Sequence, residues 1–115
     1  MKLALISVYN KKNILELTNF LLLNGYNILS TGGTFKYLET NISPEHKHRI
    51  ISIENFTGFP EILNGRVKTL HPKIYGGILF DPSISSHVED LNKYNNSNND
   101  FFNIEKIDLV VVNLY

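Results

Sequence analysis

Residues 3–8, Leu-Ala-Leu-Ile-Ser-Val, form a short run that is almost continuously apolar, with no polar alternation. Such a run suits a strand covered on both faces, as in parallel sheets. The next segment fixes the architecture. After the polar turn Tyr-Asn-Lys-Lys-Asn, apolar residues recur at helical spacing through Ile14, Leu15, Leu17, Phe20, Leu21 and Leu22. Asn13 is the expected N-cap and Asn24-Gly25 the stop. A second strand is expected over Tyr26 to Leu29. Strand, helix and strand make a right-handed βαβ unit, which pairs its strands in parallel and places the loops after them at one sheet edge. The predicted fold class is therefore α/β, a doubly wound, mostly parallel, Rossmann-like sheet.

The stretch Ser30-Thr31-Gly32-Gly33-Thr34 comes after the second strand, and Thr34 to Glu39 reads as the first turns of another helix, with Phe35 and Leu38 inward. The turn then lies where free amides and the positive end of the helix dipole converge, a natural seat for a phosphate. A short Gly-rich turn can equally do no more than redirect the chain. Residues 41–48 are polar and irregular, and Ile50 to Ile53 is a candidate third strand. Phe56 to Gly77 holds four glycines and two prolines, too many breakers for a long element. A helix is predicted from Ser85 to Tyr94, ahead of an asparagine-rich stretch at 95–100 expected to be a mobile surface loop. The chain closes on Ile-Asp-Leu-Val-Val-Val-Asn-Leu-Tyr, a strongly apolar segment expected to be a central strand. No helix comes after it to cover it, so the expected fold is incomplete at its carboxyl end.

Composition narrows the class. The 115 residues, 43% hydrophobic, suit a single domain over 1–115. Eleven basic residues balance eleven acidic ones, so no overall field favours nucleic acid or an anionic membrane, and any anion site must be local. The absence of cysteine excludes disulfides, thiolate metal sites and cysteine nucleophiles, and fits a reducing compartment. The apolar stretch near the amino terminus is too short for a signal-peptide core or a membrane span, and the expected location is the cytoplasm.

Three constellations could carry chemistry. Lys11 and Lys12 come after the first strand, beside the Ser30–Thr34 turn in a doubly wound sheet, where a lysine could neutralise a phosphate; both could equally be solvated surface lysines. Gly65 to Pro72, Gly-Arg-Val-Lys-Thr-Leu-His-Pro, concentrates Arg66, Lys68, Thr69 and His71. In an extended segment Arg66 and Lys68 share a face and could meet an anion, although an exposed basic strand edge is the slightly stronger reading of the pattern alone. His71 fits a structural histidine, and His46 and His48 lack neighbours at ligand spacing. Asn113 and Tyr115 share a face at the carboxyl end of the last strand, where open α/β sheets bind ligands; Tyr115 could also be a packing aromatic.

Four segments, Ala4 to Asn13, Ile28 to Thr34, Thr57 to Leu79 and Ile107 to Tyr115, together resemble the start of the bifunctional purine-biosynthesis enzymes that carry IMP cyclohydrolase and AICAR transformylase. The similarity runs in the same order along nearly the whole chain, and Thr-Gly-Phe-Pro-Glu-Ile-Leu-Asn-Gly-Arg-Val-Lys-Thr-Leu-His-Pro-Lys is long and unusual. The resemblance implies a methylglyoxal-synthase-like fold and dehydrative closure of the formylated aminoimidazole carboxamide ribotide (FAICAR) to IMP. It implies no metal or organic cofactor for that step, a folate formyl donor for the transformylase part, a purine ribotide as partner and a homodimeric full-length protein, with no nucleic acid and no membrane. Carried over by motif, Lys11, Thr31, Gly32, Gly33 and Thr34 would hold the 5′-phosphate. Arg66, Lys68 and Thr69 would face the base, with Asn113 and Tyr115 completing its pocket. Lys68 would polarise the formyl oxygen and Tyr115 would orient substrate or relay a proton. The sequence departs from the family at Tyr9 and Asn10, where serine and aspartate are usual, and at Tyr75, where histidine is usual. The family's catalytic aspartate and second catalytic lysine lie beyond the match to Tyr115, so these residues alone are expected to lack activity. Two other readings stand beside the cyclohydrolase: a phosphate-binding regulatory module like that of carbamoyl phosphate synthetase, and methylglyoxal synthase.

Overall fold

In a computed structural model, which describes residues 2–95 and 103–113, four parallel strands line up in the order β3-β2-β1-β4. The chain runs β1 (Lys2–Ser7), α1 (Ile14–Leu23), β2 (Tyr26–Ser30), α2 (Gly32–Asn41), a 3₁₀ turn (Pro44–Arg49), β3 (Ile50–Ser52), α3 (Ile53–Thr57), α4 (Pro72–Leu79), α5 (Ser85–Asn95) and β4 (Leu109–Val112). β1 pairs with β2 from Lys2 opposite Tyr26 to Ile6 opposite Ser30, and with β4 from Ala4 opposite Leu109 to Ser7 opposite Val112.

The unbroken apolar run of β1 is explained by burial on both faces. Ala4 and Ile6 pack with Ile28 and Ile50 against Ile14, Leu21 and Leu22 of α1 and Leu38 of α2. Leu3, Leu5 and Leu29 face the other way, onto Ile53, Ile74 and Ile107. Ile28 and Leu29 are fully enclosed, so truncating either to alanine costs about 2–5 kcal/mol in lost transfer energy and residual cavity.

Several elements differ from their expected form. Asn13 stands at the start of α1 but is left-handed, φ 64°, and its side chain caps nothing. β3 ends at Ser52, whose hydroxyl accepts the Asn55 N–H at 3.1 Å and turns the chain into α3 one residue earlier than expected. The breaker-rich segment does hold a helix, α4, started by Pro72 and capped by His71. Its Gly77 permits a close approach: a Cβ there would stand 2.5 Å from the Glu105 carbonyl oxygen. That contact lets residues 104–107 cross α4 and deliver Asp108 to β1, where Leu3 N–H donates to Asp108 Oδ2 at 2.9 Å. β4 is an edge strand among the described residues, not a central one. Its side chains alternate half-buried and exposed, with Val110 and Val112 outward. Most of the asparagine-rich stretch, together with Leu114 and Tyr115, lies outside the described residues.

Candidate functional site

All four strands point their carboxyl ends to one edge, and the chain segments leaving β1, β2 and β4 meet there. The sequence after β2 enters a helix at once, so Gly32, Gly33 and Thr34 form the first turn of α2 rather than a separate loop before it. The first intrahelical bond runs from Phe35 N–H to Thr31 O, 2.7 Å. The amides of residues 32–34 therefore have no intrahelical partner, and among the described residues the Thr31 side chain does not cap them. These unpaired donors and the positive end of the helix dipole make the turn an anion seat.

Side-chain hydroxyls hold the seat rather than lining it as free donors. Thr34, almost fully buried, donates its hydroxyl to Val8 O at 3.1 Å and accepts Val8 N–H at 3.2 Å. Thr31 Oγ1 lies 2.8 Å from Ser7 Oγ. The β1–α1 loop is closed in turn by Asn113, whose Oδ1 accepts Tyr9 N–H at 2.7 Å and whose Nδ2 donates to Asn10 O at 2.9 Å. Lys11 bends back over the same loop, its ammonium donating to Val8 O and Tyr9 O. These contacts enclose a cleft of about 440 Å³, lined among others by Ser7, Lys11, Thr31, Gly33, Lys68 and Asn113.

A second, smaller cleft of about 260 Å³ lies between α2 and the carboxyl ends of β2 and β3, lined by Ser30, Phe35, Glu54, Phe59, Glu61 and others. Thr31 and Lys68 belong to both clefts. Ser30 Oγ is sealed from solvent without a hydrogen-bond partner among the described residues. Lys68 is half-buried, and its ammonium also makes no hydrogen bond or ion pair among the described residues.

A cleft at the carboxyl ends of parallel strands, floored by a helix amino terminus, is shared by many α/β proteins, and comparison separates them. Residues 13–115 match the MGS-like domain family. The chain belongs to that family. This MGS-like domain is 51% identical over 114 residues to the bifunctional purine biosynthesis protein PurH of Caldicellulosiruptor saccharolyticus, matching 99% of the chain. It is 47% identical over 112 residues to the corresponding protein of Dictyostelium discoideum. The chain spans only 20% and 18% of these relatives' lengths, and the match is to their amino-terminal region. A solved structure, the crystal structure of ForH, superposes with a TM-score of 0.79 at 32% identity, covering all of this chain and 52% of that one.

Among the predicted residues, the MGS-like domain brings Lys11, Thr31, Gly33, Thr34, Lys68 and Asn113 to one cleft. Gly32 lies on the neighbouring one. Arg66 and Thr69 line neither cleft, and the extended alternation expected of Arg66 and Lys68 does not form. Residues 62–67 instead make a tight turn closed by an Ile62–Val67 bridge, with Leu63, Asn64 and Gly65 all at positive φ. Arg66 is exposed on this turn and donates to Leu63 O at 3.3 Å. Tyr115 lies outside the described residues. His71 takes the structural role, its Nδ1 accepting Lys73 N–H at 3.1 Å at the start of α4. Burial, and secondarily the Lys73 charge, holds its imidazole below the ordinary histidine value. Among the described residues no three His, Asp or Glu side chains gather as metal ligands, and no helix is long and apolar enough to cross a membrane.

Sequence reasoning missed Ser7 and Glu61. Ser7 could have been found from its place at the last residue of β1; Glu61 lies in the same segment as Gly65 and Lys68, but its approach to Gly32 of α2 has no signal in the sequence.

Proposed function

We propose that this MGS-like domain belongs to an IMP cyclohydrolase and binds a purine 5′-ribotide across its strand ends. The observation that carries the reading is the convergence, in one cleft, of Gly33 and Thr34 from the first turn of α2 with Lys11 and Lys68. The similarity to bifunctional purine biosynthesis proteins directs the choice among phosphorylated ligands.

In this reading the 5′-phosphate takes the amides of Gly32, Gly33 and Thr34, with the Lys11 ammonium as its counter-charge. Lys68, on the wall between the clefts and without a hydrogen-bond or ion-pair partner among the described residues, polarises the formyl oxygen of FAICAR. The carboxamide nitrogen attacks the formyl carbon and a carbon–nitrogen bond forms. The former formyl oxygen leaves as water with one proton from the carboxamide and one from the formamide N–H. The amide nitrogen is a poor nucleophile, so fixing it against a polarised carbonyl supplies much of the rate. Asn113 holds the loop that frames the phosphate, and the motif match assigns Tyr115 a part in binding the base. Cytoplasmic location, a folate-dependent transformylase and homodimer assembly belong to the same proposal for the whole protein.

Calorimetric titration with IMP, inorganic phosphate and dihydroxyacetone phosphate tests the assignment. Preference for the purine ribotide is expected; preference for dihydroxyacetone phosphate would move the protein to methylglyoxal chemistry, and binding of phosphate alone to a regulatory role. In a full-length homologue, Lys68→Ala should lower kcat more than it raises KM, because the interaction is made mainly in the transition state.

A further inference from the structure

Two glycines far apart in sequence crowd the same carboxylate. A Cβ on Gly32, the first residue of α2, would meet Glu61 Oε2 at 3.0 Å. A Cβ on Gly65, in the 62–67 turn, would meet Glu61 Oε1 at 2.8 Å, Lys68 Cε at 3.0 Å and Lys68 Nζ at 3.5 Å. The Glu61 carboxylate thus sits between the helix amino terminus and the turn, and it shares the face of Gly65 with the Lys68 ammonium. Gly65, at φ +82°, is a position that disfavours any side chain on backbone grounds as well.

We infer that Glu61 is a positioning residue for Lys68, holding the ammonium by charge on the wall between the two clefts while leaving its N–H donors to the ligand. No ion pair within 4.0 Å joins the two side chains. The separation matters. A carboxylate in bonding contact would occupy the donors that the ligand needs, whereas one across a glycine face biases where the flexible lysine stem rests without consuming them. Glu61 itself is steadied by the amino-terminal end of α2, which favours a negative charge. Glu39, Glu54 and Lys36 line the same smaller cleft, but the atoms nearest the Gly65 face belong to Glu61 and Lys68.

The inference rests on the proposed ribotide reading for its consequence, but not for its first test. In ligand-free protein carrying 13C-labelled lysine, Glu61→Gln should move the Lys68 Cε signal, whereas Glu54→Gln should leave it in place. Calorimetry with IMP then supplies a double-mutant cycle: Glu61→Gln should weaken binding about tenfold in the natural background and less than twofold alongside Lys68→Ala. Glu61→Ala serves as a second variant with the same expectation, and thermal unfolding monitors the fold of each. An unmoved Lys68 signal, or an equal loss of IMP affinity in both backgrounds, overturns the role. Failure of the natural protein to bind IMP overturns the ribotide reading instead, and the lysine signal alone then decides for or against Glu61.

Discussion

The Thr34 hydroxyl closes both backbone groups of Val8, accepting its N–H at 3.2 Å and donating to its carbonyl at 3.1 Å. One side chain from the first turn of α2 thereby ties the end of β1 to the helix that floors the cleft. Because Thr34 is 2% exposed, no water can replace these bonds without rearrangement. Thr34→Val keeps the shape and removes both bonds; the Val8 carbonyl keeps the Lys11 ammonium, so the cost should be about 1–3 kcal/mol through the Val8 N–H left unsatisfied. Denaturant midpoints check this; a change within error would show that the two elements are held by packing alone.

Gly33 separates the seat from the fold. A Cβ there would meet nothing within 4 Å, yet the residue lines the cleft. Gly33→Val should therefore leave stability within about 0.5 kcal/mol of the natural protein, as for a surface substitution. Its branched side chain should nevertheless lower phosphate affinity by about tenfold or more by covering the helix amides. Parallel melting and phosphate titration separate the two effects, and undiminished affinity would place the anion elsewhere.

Asn113 acts across the sheet edge on the β1–α1 loop. Its replacement by alanine frees the amides of Tyr9 and Asn10 from their shared acceptor. Faster hydrogen exchange at those two amides is expected, with exchange in the β2 core unaltered, and phosphate affinity should fall because Lys11 is folded over the same loop.

His71 confers a pH dependence whose sign is set by its depressed pKa. Burial comes first among the causes and the Lys73 charge second, so the folded protein favours the neutral ring more than the unfolded chain does. The stability it contributes is present above the ordinary value of 6.5 and is lost as pH falls through the lowered folded value. His71→Asn, which can still cap α4, should flatten the decline in melting temperature over that acidic range. An unaltered pH profile would assign the decline to other groups.

The sequence by itself determined the βαβ opening, the parallel sheet and the placement of Ser30 to Thr34 at a strand end. Those features depend on local periodicity: an unbroken apolar strand such as Leu3–Val8 is stable only when both its faces are covered, and a helix between two strands leaves parallel pairing as the short path. Even the extent of α2 was partly hidden, because a Gly-Gly pair reads as a turn, whereas Gly32 and Gly33 open the helix itself and Phe35 and Leu38 pack it onto the core. The segment from 62 to 68 was illegible for a stronger reason. Alternation predicts a strand, but with Leu63, Asn64 and Gly65 in left-handed conformations the chain reverses, sending Arg66 to solvent and Lys68 toward the clefts. That reversal is closed by an Ile62–Val67 bridge, and it brings Gly65 and the Glu61 carboxylate beside Gly32 of a helix remote in sequence. Only the tertiary structure decides which cation of that segment reaches the site, since no window of sequence contains both walls of the cleft.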